Sequence, residues 1–303
     1  MTTRVLRAAD LGAISHDAAE RAVRAGRWQR PAYGIYLLSS QPPTDADLLG
    51  IAAAYVRGPF LVTGLLVLRA FELRWLPASS GVHVLVPRAN RQRSSGAVHV
   101  TPTTCFAELG SWVKSGVRMT LPDRAVVDAA RSLSSLRDVR GVVLGAVADG
   151  KTHPADLITA LGAGRRNGSA VVRRAICDAQ RGCASPPEAE LVDGLVGRGT
   201  PFYVNPELWL RGVVLGSPDV WICDTGTGGE VDSHERHGDN VGVDNTYDRH
   251  ERYAGAGVQL VHLSVGRIRR DVGGSVDHLL ARARAGPPAP AGLVVVPRAP
   301  LLS

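Results

Sequence analysis

The chain has 303 residues, enough to bury more than one core, and is expected to divide into two or three domains. Its 45% hydrophobic content is ordinary for a globular protein, and its longest apolar run, GPFLVTGLLVLRAF, falls short of the roughly 18 residues that cross a bilayer, so no membrane partner is expected. The net charge of +7 invites a nucleic-acid partner, but Lys114 and Lys151 are the only lysines, so the placement of the arginines is more informative than their number.

Arg4, Arg7 and Asp10 interrupt any leader-like apolar stretch at the start, and a cytoplasmic location is expected. Cys105, Cys177, Cys183 and Cys223 form no Cys-x-x-Cys pair and no zinc spacing, which fits reduced thiols. Residues 1–40 read as a short helix, a turn at Gly12, a second helix capped by Ser15 and stopped at Gly26, and two short strands turning between Pro31 and Gly34. That order describes a winged helix-turn-helix. Arg21 and Arg24 share a face of the second helix, and Arg27 and Arg30 lead into the wing, so these four are the candidate DNA contacts. The plainer alternative is a small helical cap whose apolar positions pack on the next domain.

Residues 44–182 read as a mostly helical α+β domain, a spacer or interaction module with no assigned chemistry. The pattern predicts a helix at Thr44–Val56, an apolar stretch at Phe60–Phe71 and strands at Val82–Val86 and Ala97–Val100. Further helices are expected at Pro122–Leu133, Leu136–Ala148, Pro154–Leu161 and Ala170–Gln180. The loop between the two strands carries Arg88, Arg91 and Arg93; it could touch a phosphate backbone or simply be solvated.

Residues 184–285 change character. Ser-Pro-Pro opens a helix with Glu188 and Glu190 in its first turns, and a hairpin turns at Arg211–Gly212. The apolar VWI after Asp219 and the Gly-Gly before Glu230 read as strand, turn and strand, and GVQLVHLSV as a buried strand, giving an α/β layer. The segment Ser217–His237 gathers Asp219, Glu230, Asp232, Glu235 and His237 against the positive charge of the chain. Glu230 and Asp232, two apart on a strand, share a face, and Asp219 can meet them from the neighbouring strand. Such oxygen donors suit Mg²⁺ or Mn²⁺ and metal-assisted phosphodiester hydrolysis; a solvated acidic hairpin is the competing reading. Residues 286–303 form a proline-rich tail, expected to be extended.

The motifs SPPEAEL, NPELWL, SPD, GEVDSHERH and GVQLVHLSVGRIRRD resemble the carboxy-terminal domain of a large group of actinobacterial proteins, a domain similar to very-short-patch-repair nucleases of the PD-(D/E)xK superfamily. WQRPAYGIYLL and GVRMTLPDRAVVDAAR resemble the winged-helix and following domain of AbiEi-type antitoxins. The resemblance implies a restriction-endonuclease-like α/β fold for residues 184–285, with Asp219 as the acid of the "PD" element after Pro218, Glu230 as the second acid, and Glu188 or Glu190 as a supporting acid. Asp232 stands where the superfamily has its lysine, and no lysine follows Lys151, so His237 or His234 would have to supply that function. Two functions follow as expectations. One is a DNA-binding protein with a Mg²⁺- or Mn²⁺-dependent endonuclease domain, in which Asp219, Glu230 and Asp232 hold the metal and His237 handles a proton. The other is a non-catalytic antitoxin and autorepressor that binds operator DNA and a cognate toxin.

Overall fold

A computed structural model of the chain describes residues 4–74, 76–79, 81–163, 168–232 and 250–303. The protein is mixed α/β and divides into two compact units, Met1–Ala175 and Ile176–Ser303.

The first unit opens with strand β1 (Val5–Arg7), a single 3-10 turn at Ala8–Asp10, helix α1 (His16–Arg24) and the hairpin β2 (Gln29–Ala32) and β3 (Ile35–Leu37). The start differs from the expected short helix. Val5–Arg7 pair antiparallel with Ile35–Leu37, giving a three-stranded sheet in the order β1-β3-β2. Ser15 caps α1 as expected, its hydroxyl accepting from the Ala18 amide, and Gly26 follows the helix at φ 69°. Leu11, Ala19 and Tyr36 form a small core that Leu6, Val23 and Trp28 complete.

Helix α2 (Asp45–Tyr55) begins with a reciprocal cap, the Thr44 hydroxyl accepting from the Asp47 amide while the Asp47 carboxylate accepts from Thr44. The apolar run from Phe60 to Phe71 proves to be two elements, strand β4 (Leu61–Thr63) and helix α3 (Leu65–Ala70), broken at Gly64, whose φ of 75° is cheap only for glycine. Both are buried, so neither shows a polar face in the sequence.

Strands β5 (Val82–Pro87) and β6 (Val98–Thr103) lie parallel, and a hairpin of β7 (Ser111–Lys114) and β8 (Val117–Thr120) completes a five-stranded sheet in the order β6-β5-β4-β8-β7. Helices α4 (Pro122–Ser132), α5 (Leu136–Ala148), α6 (Pro154–Gly162) and α7 (Ser169–Gln180) follow at the expected places.

In the second unit α8 (Pro186–Leu195) leads to β9 (Phe202–Val204), to the hairpin β10 (Glu207–Leu210) and β11 (Val213–Gly216), and to β12 (Val220–Ile222) and β13 (Thr227–Asp232). A helix α9, described over residues 250–255, precedes β14 (Gln259–Ser264), and α10 (Val265–Arg270), α11 (Val272–Ala285) and β15 (Leu293–Val296) close the chain. One sheet has the order β14-β13-β12-β9, with β13 and β14 parallel and the other neighbours antiparallel.

The turn between β12 and β13 does not fall at Gly228–Gly229. Both glycines lie within β13, paired with Trp221 and Val220, and the chain reverses earlier, where Asp224 takes φ 59°. The reason is packing. A Cβ on Gly229 would stand 2.8 Å from Val220 Cγ2 and 3.1 Å from Leu279 Cδ2, so the glycine lets α11 settle directly on the sheet.

The carboxy-terminal tail docks. β15 pairs antiparallel with β10 in a second sheet, β11-β10-β15, and Leu302 forms a bridge with Phe202. Gly226, just ahead of β13, donates to the Pro287 carbonyl, and a Cβ there would come within 2.7 Å of the Pro288 oxygen. Among the described residues no helix is long and apolar enough to cross a membrane.

Candidate functional sites

Arg21 and Arg24 on α1, Arg27 in the turn that follows it and Arg30 on β2 are all exposed. Ala19 and Ala22 turn to the core, so α1 presents its charged side outward. Arg30 lies 3.3 Å from Glu20 and 5.7 Å from the centre of the Tyr33 ring. Glu20 also accepts from the Tyr36 hydroxyl at 2.7 Å, which holds its carboxyl below the ordinary carboxylate range, with Arg30 adding to the effect. The Tyr36 hydroxyl is raised, first by burial and then by Glu20. This lattice joins helix and hairpin, so the four arginines are carried by one braced module.

In the second unit the antiparallel register pairs Val220 with Gly229, and continuing it by one residue sets Asp219 opposite Glu230. Glu230 is 5% exposed, and Asp232 follows two residues on along β13. The nearest engagements of the outer two carboxylates diverge. Asp219 accepts the Val231 amide at 2.6 Å. Asp232 faces the Nδ1 of His262 at 3.2 Å from each oxygen. Parallel pairing aligns His262 with Glu230, and the His250 ring lies 4.6 Å from that of His262. Among the described residues no group of three His, Cys, Asp or Glu side chains is placed to hold a metal ion. His237, with Glu235 and His234, lies outside the described residues.

Glu188 is buried and occupied. One of its oxygens accepts from the Ala184 amide at 2.8 Å and from Asn205 Nδ2 at 3.1 Å, and the other accepts from the Ser185 hydroxyl at 2.8 Å. Ser185 in turn accepts from the Glu188 amide, which completes the cap of α8. Asn205, at φ 47°, donates its own amide to the Asp219 carbonyl, so Glu188 holds the segment on which Asp219 stands. Glu188→Ala leaves buried donors unanswered and is expected to cost on the order of 2 kcal/mol, seen as a lower urea midpoint at unchanged slope. An unchanged midpoint would contradict the capping role.

Sequence reasoning missed His262 and His250. His262 follows Asp232 by 30 residues, and only the parallel pairing of β14 with β13 brings them together. The alternation of GVQLVHLSV placed His262 on a strand but could not name the strand beside it.

No family model and no curated protein matches the chain. Among solved structures, the RV2827C protein from Mycobacterium tuberculosis matches at 18% identity over 61% of this chain and 74% of its own, with a TM-score of 0.38. That likeness is too slight to carry fold or function across.

Proposed function

We propose that the protein binds duplex DNA through its amino-terminal module and acts as a non-catalytic repressor of the antitoxin kind, its carboxy-terminal unit serving a partner rather than a reaction. The observation that carries this reading is the set of four exposed arginines running from α1 through the following turn to β2, in a module braced by Glu20 and Tyr36. Guanidinium groups along a helix and wing suit phosphate contacts on either side of a major groove. A basic strip of this size binds duplex DNA in a salt-dependent manner before any base is read.

The non-catalytic half rests on Asp232, which faces His262. Where the resemblance implies a lysine, the Asp232 carboxylate supplies no positive charge to orient a nucleophile.

The test is fluorescence anisotropy of the full chain against duplex DNA from its own promoter region, with and without residues 1–40. Binding that disappears in the truncated chain agrees with the proposal; binding that persists contradicts it. Because β1 packs against α2, arginine substitutions that leave the fold intact serve as the second arm.

One observation favours the nuclease reading: the β12–β13 register, continued by one residue, carries Asp219 to the place opposite the buried Glu230. On that reading Mg²⁺ or Mn²⁺ supplies Lewis acidity when bound, and Asp219 and Glu230 would be its ligands. Cleavage of plasmid DNA by the parent in the presence of Mg²⁺, and its loss in Asp219→Ala, would establish that reading over the repressor. No cleavage by the parent at equal DNA affinity is the expected result.

A further inference from the structure

The first unit contains a cavity of about 1080 Å³ between the five-stranded sheet and α4, a region to which the sequence assigned no chemistry. Among the described residues Arg88, Arg91, Arg93, Arg124 and Arg131 line it, against the one carboxylate of Asp128. Burial and the neighbouring His99 push the His83 imidazole below its ordinary range, so His83 adds no charge at neutral pH. The cavity therefore holds a large surplus of positive charge in a concave space, where low-dielectric walls focus the field.

Two features separate this from a solvated basic surface. Asp128 accepts from Arg124 Nε at 2.8 Å and from the Thr63 hydroxyl at 2.8 Å, and lies 4.0 Å from Arg131, so it fixes the floor without neutralising it. The loop bearing the outer arginines is also tied down. Asn90 Nδ2 donates to the Arg57 carbonyl, Gln92 Oε1 accepts the Arg57 amide, Gln92 Nε2 donates to the Tyr55 carbonyl, and the Tyr55 hydroxyl donates to the Arg93 carbonyl. Asn90 and Gln92 anchor the loop from within the lining of the cavity, alongside Arg88, Arg91 and Arg93. Ordering a loop costs entropy, and here the backbone that carries the three exposed arginines is ordered at the cavity's edge before any ligand arrives.

We propose that this cavity binds a small ligand carrying linked phosphates. Guanidinium forks match phosphate oxygens bidentately, and Thr101 lines the same space with a neutral hydroxyl. The volume is that of a small-molecule site. No phenylalanine, tyrosine or tryptophan lines it among the described residues, so recognition rests on the phosphates rather than on stacking of a base.

The experiment is isothermal titration of the full chain at low salt with inorganic tripolyphosphate and, in parallel, with ATP. Saturable one-to-one binding of tripolyphosphate, weakened at least tenfold in the exposed triple variant Arg88→Ser, Arg91→Ser, Arg93→Ser at unchanged Tm, supports the proposal. A second variant, Thr101→Glu, sets a carboxylate inside the cavity and is expected to remove binding while the outer arginines remain. Equal affinity for ATP and tripolyphosphate assigns the site to the phosphate chain alone, and tighter binding of ATP assigns it to a nucleotide. No saturable binding of either ligand, or equal binding by parent and triple variant, overturns the proposal. So does a triple variant that loses duplex DNA affinity while the parent ignores tripolyphosphate, because the loop would then serve nucleic acid.

Discussion

Reversing the charge of α1 with Arg21→Glu and Arg24→Glu is expected to weaken duplex DNA binding by at least a hundredfold at about 100 mM salt, with the fold intact and only a small fall in thermal stability. Each arginine that neutralises a phosphate releases a counterion, and replacing it by a carboxylate adds repulsion to the lost attraction, so about 3 kcal/mol across the pair is a modest expectation. Both side chains are exposed, and the core of this module is built from Leu11, Ala19 and Tyr36. Arg24 helps to hold the Glu20 carboxylate, and acids in the last turn of α1 oppose its dipole, so a small fall in Tm with the fold intact is expected. Anisotropy titrations and a thermal melt on the same preparation decide it. A double variant that binds DNA as the parent does would remove α1 from the interface.

Ending the chain at Gly286 is expected to be the most destabilising change to the second unit. β15 pairs with β10 over four residues, and Leu293 and Val295 pack against the core of Leu208, Leu215, Trp221, Tyr253 and Val258. Its loss exposes that cluster and strips β10 of the partner on one edge. The Leu302 bridge to Phe202 and the Pro287 contact with Gly226 go with it. Lost backbone bonds and exposed apolar area together come to on the order of 4 kcal/mol, enough to lower the Tm of a unit this size by about 10 °C or more. A truncated chain that melts with the parent would show that the tail rests on the surface without supporting it. DNA binding by Arg21 and Arg24 should survive the truncation, which separates the two predictions.

What the sequence made legible was governed by short-range chemistry. Ser15, Thr44 with Asp47, and Ser185 with Glu188 each announce a helix start because the capping bond spans three residues, and all three caps form. Arg211–Gly212 announces its turn in the same way, with both residues at positive φ. The hairpin of β7 and β8 was overlooked although Ser115 and Gly116 carry the same signal, since Lys114 and Arg118 on either side of the turn interrupt its apolar pattern. Gly228 and Gly229 were read as a turn because glycine usually marks one, whereas Gly228 lies close against Pro218 and Leu260 and Gly229 against Val220 and Leu279, which no local pattern reveals. The arginines of α1 were legible as a set, while the engagement of Asp232 by His262 depends on which strand lies beside β13. The basic cavity was invisible for a similar reason. Its arginines come from the β5–β6 loop and from α4, more than thirty residues later, and only the sheet brings them to one space.

The most direct test of the account is the salt dependence of duplex binding by the full chain, compared with the four-fold variant Arg21→Ala, Arg24→Ala, Arg27→Ala, Arg30→Ala. If these four guanidiniums contact phosphates, the logarithm of the affinity falls against the logarithm of salt with a slope that is steeper for the parent by about 3 to 4. Parallel lines for parent and variant, at equal affinity, would contradict the assignment of DNA binding to the amino-terminal module.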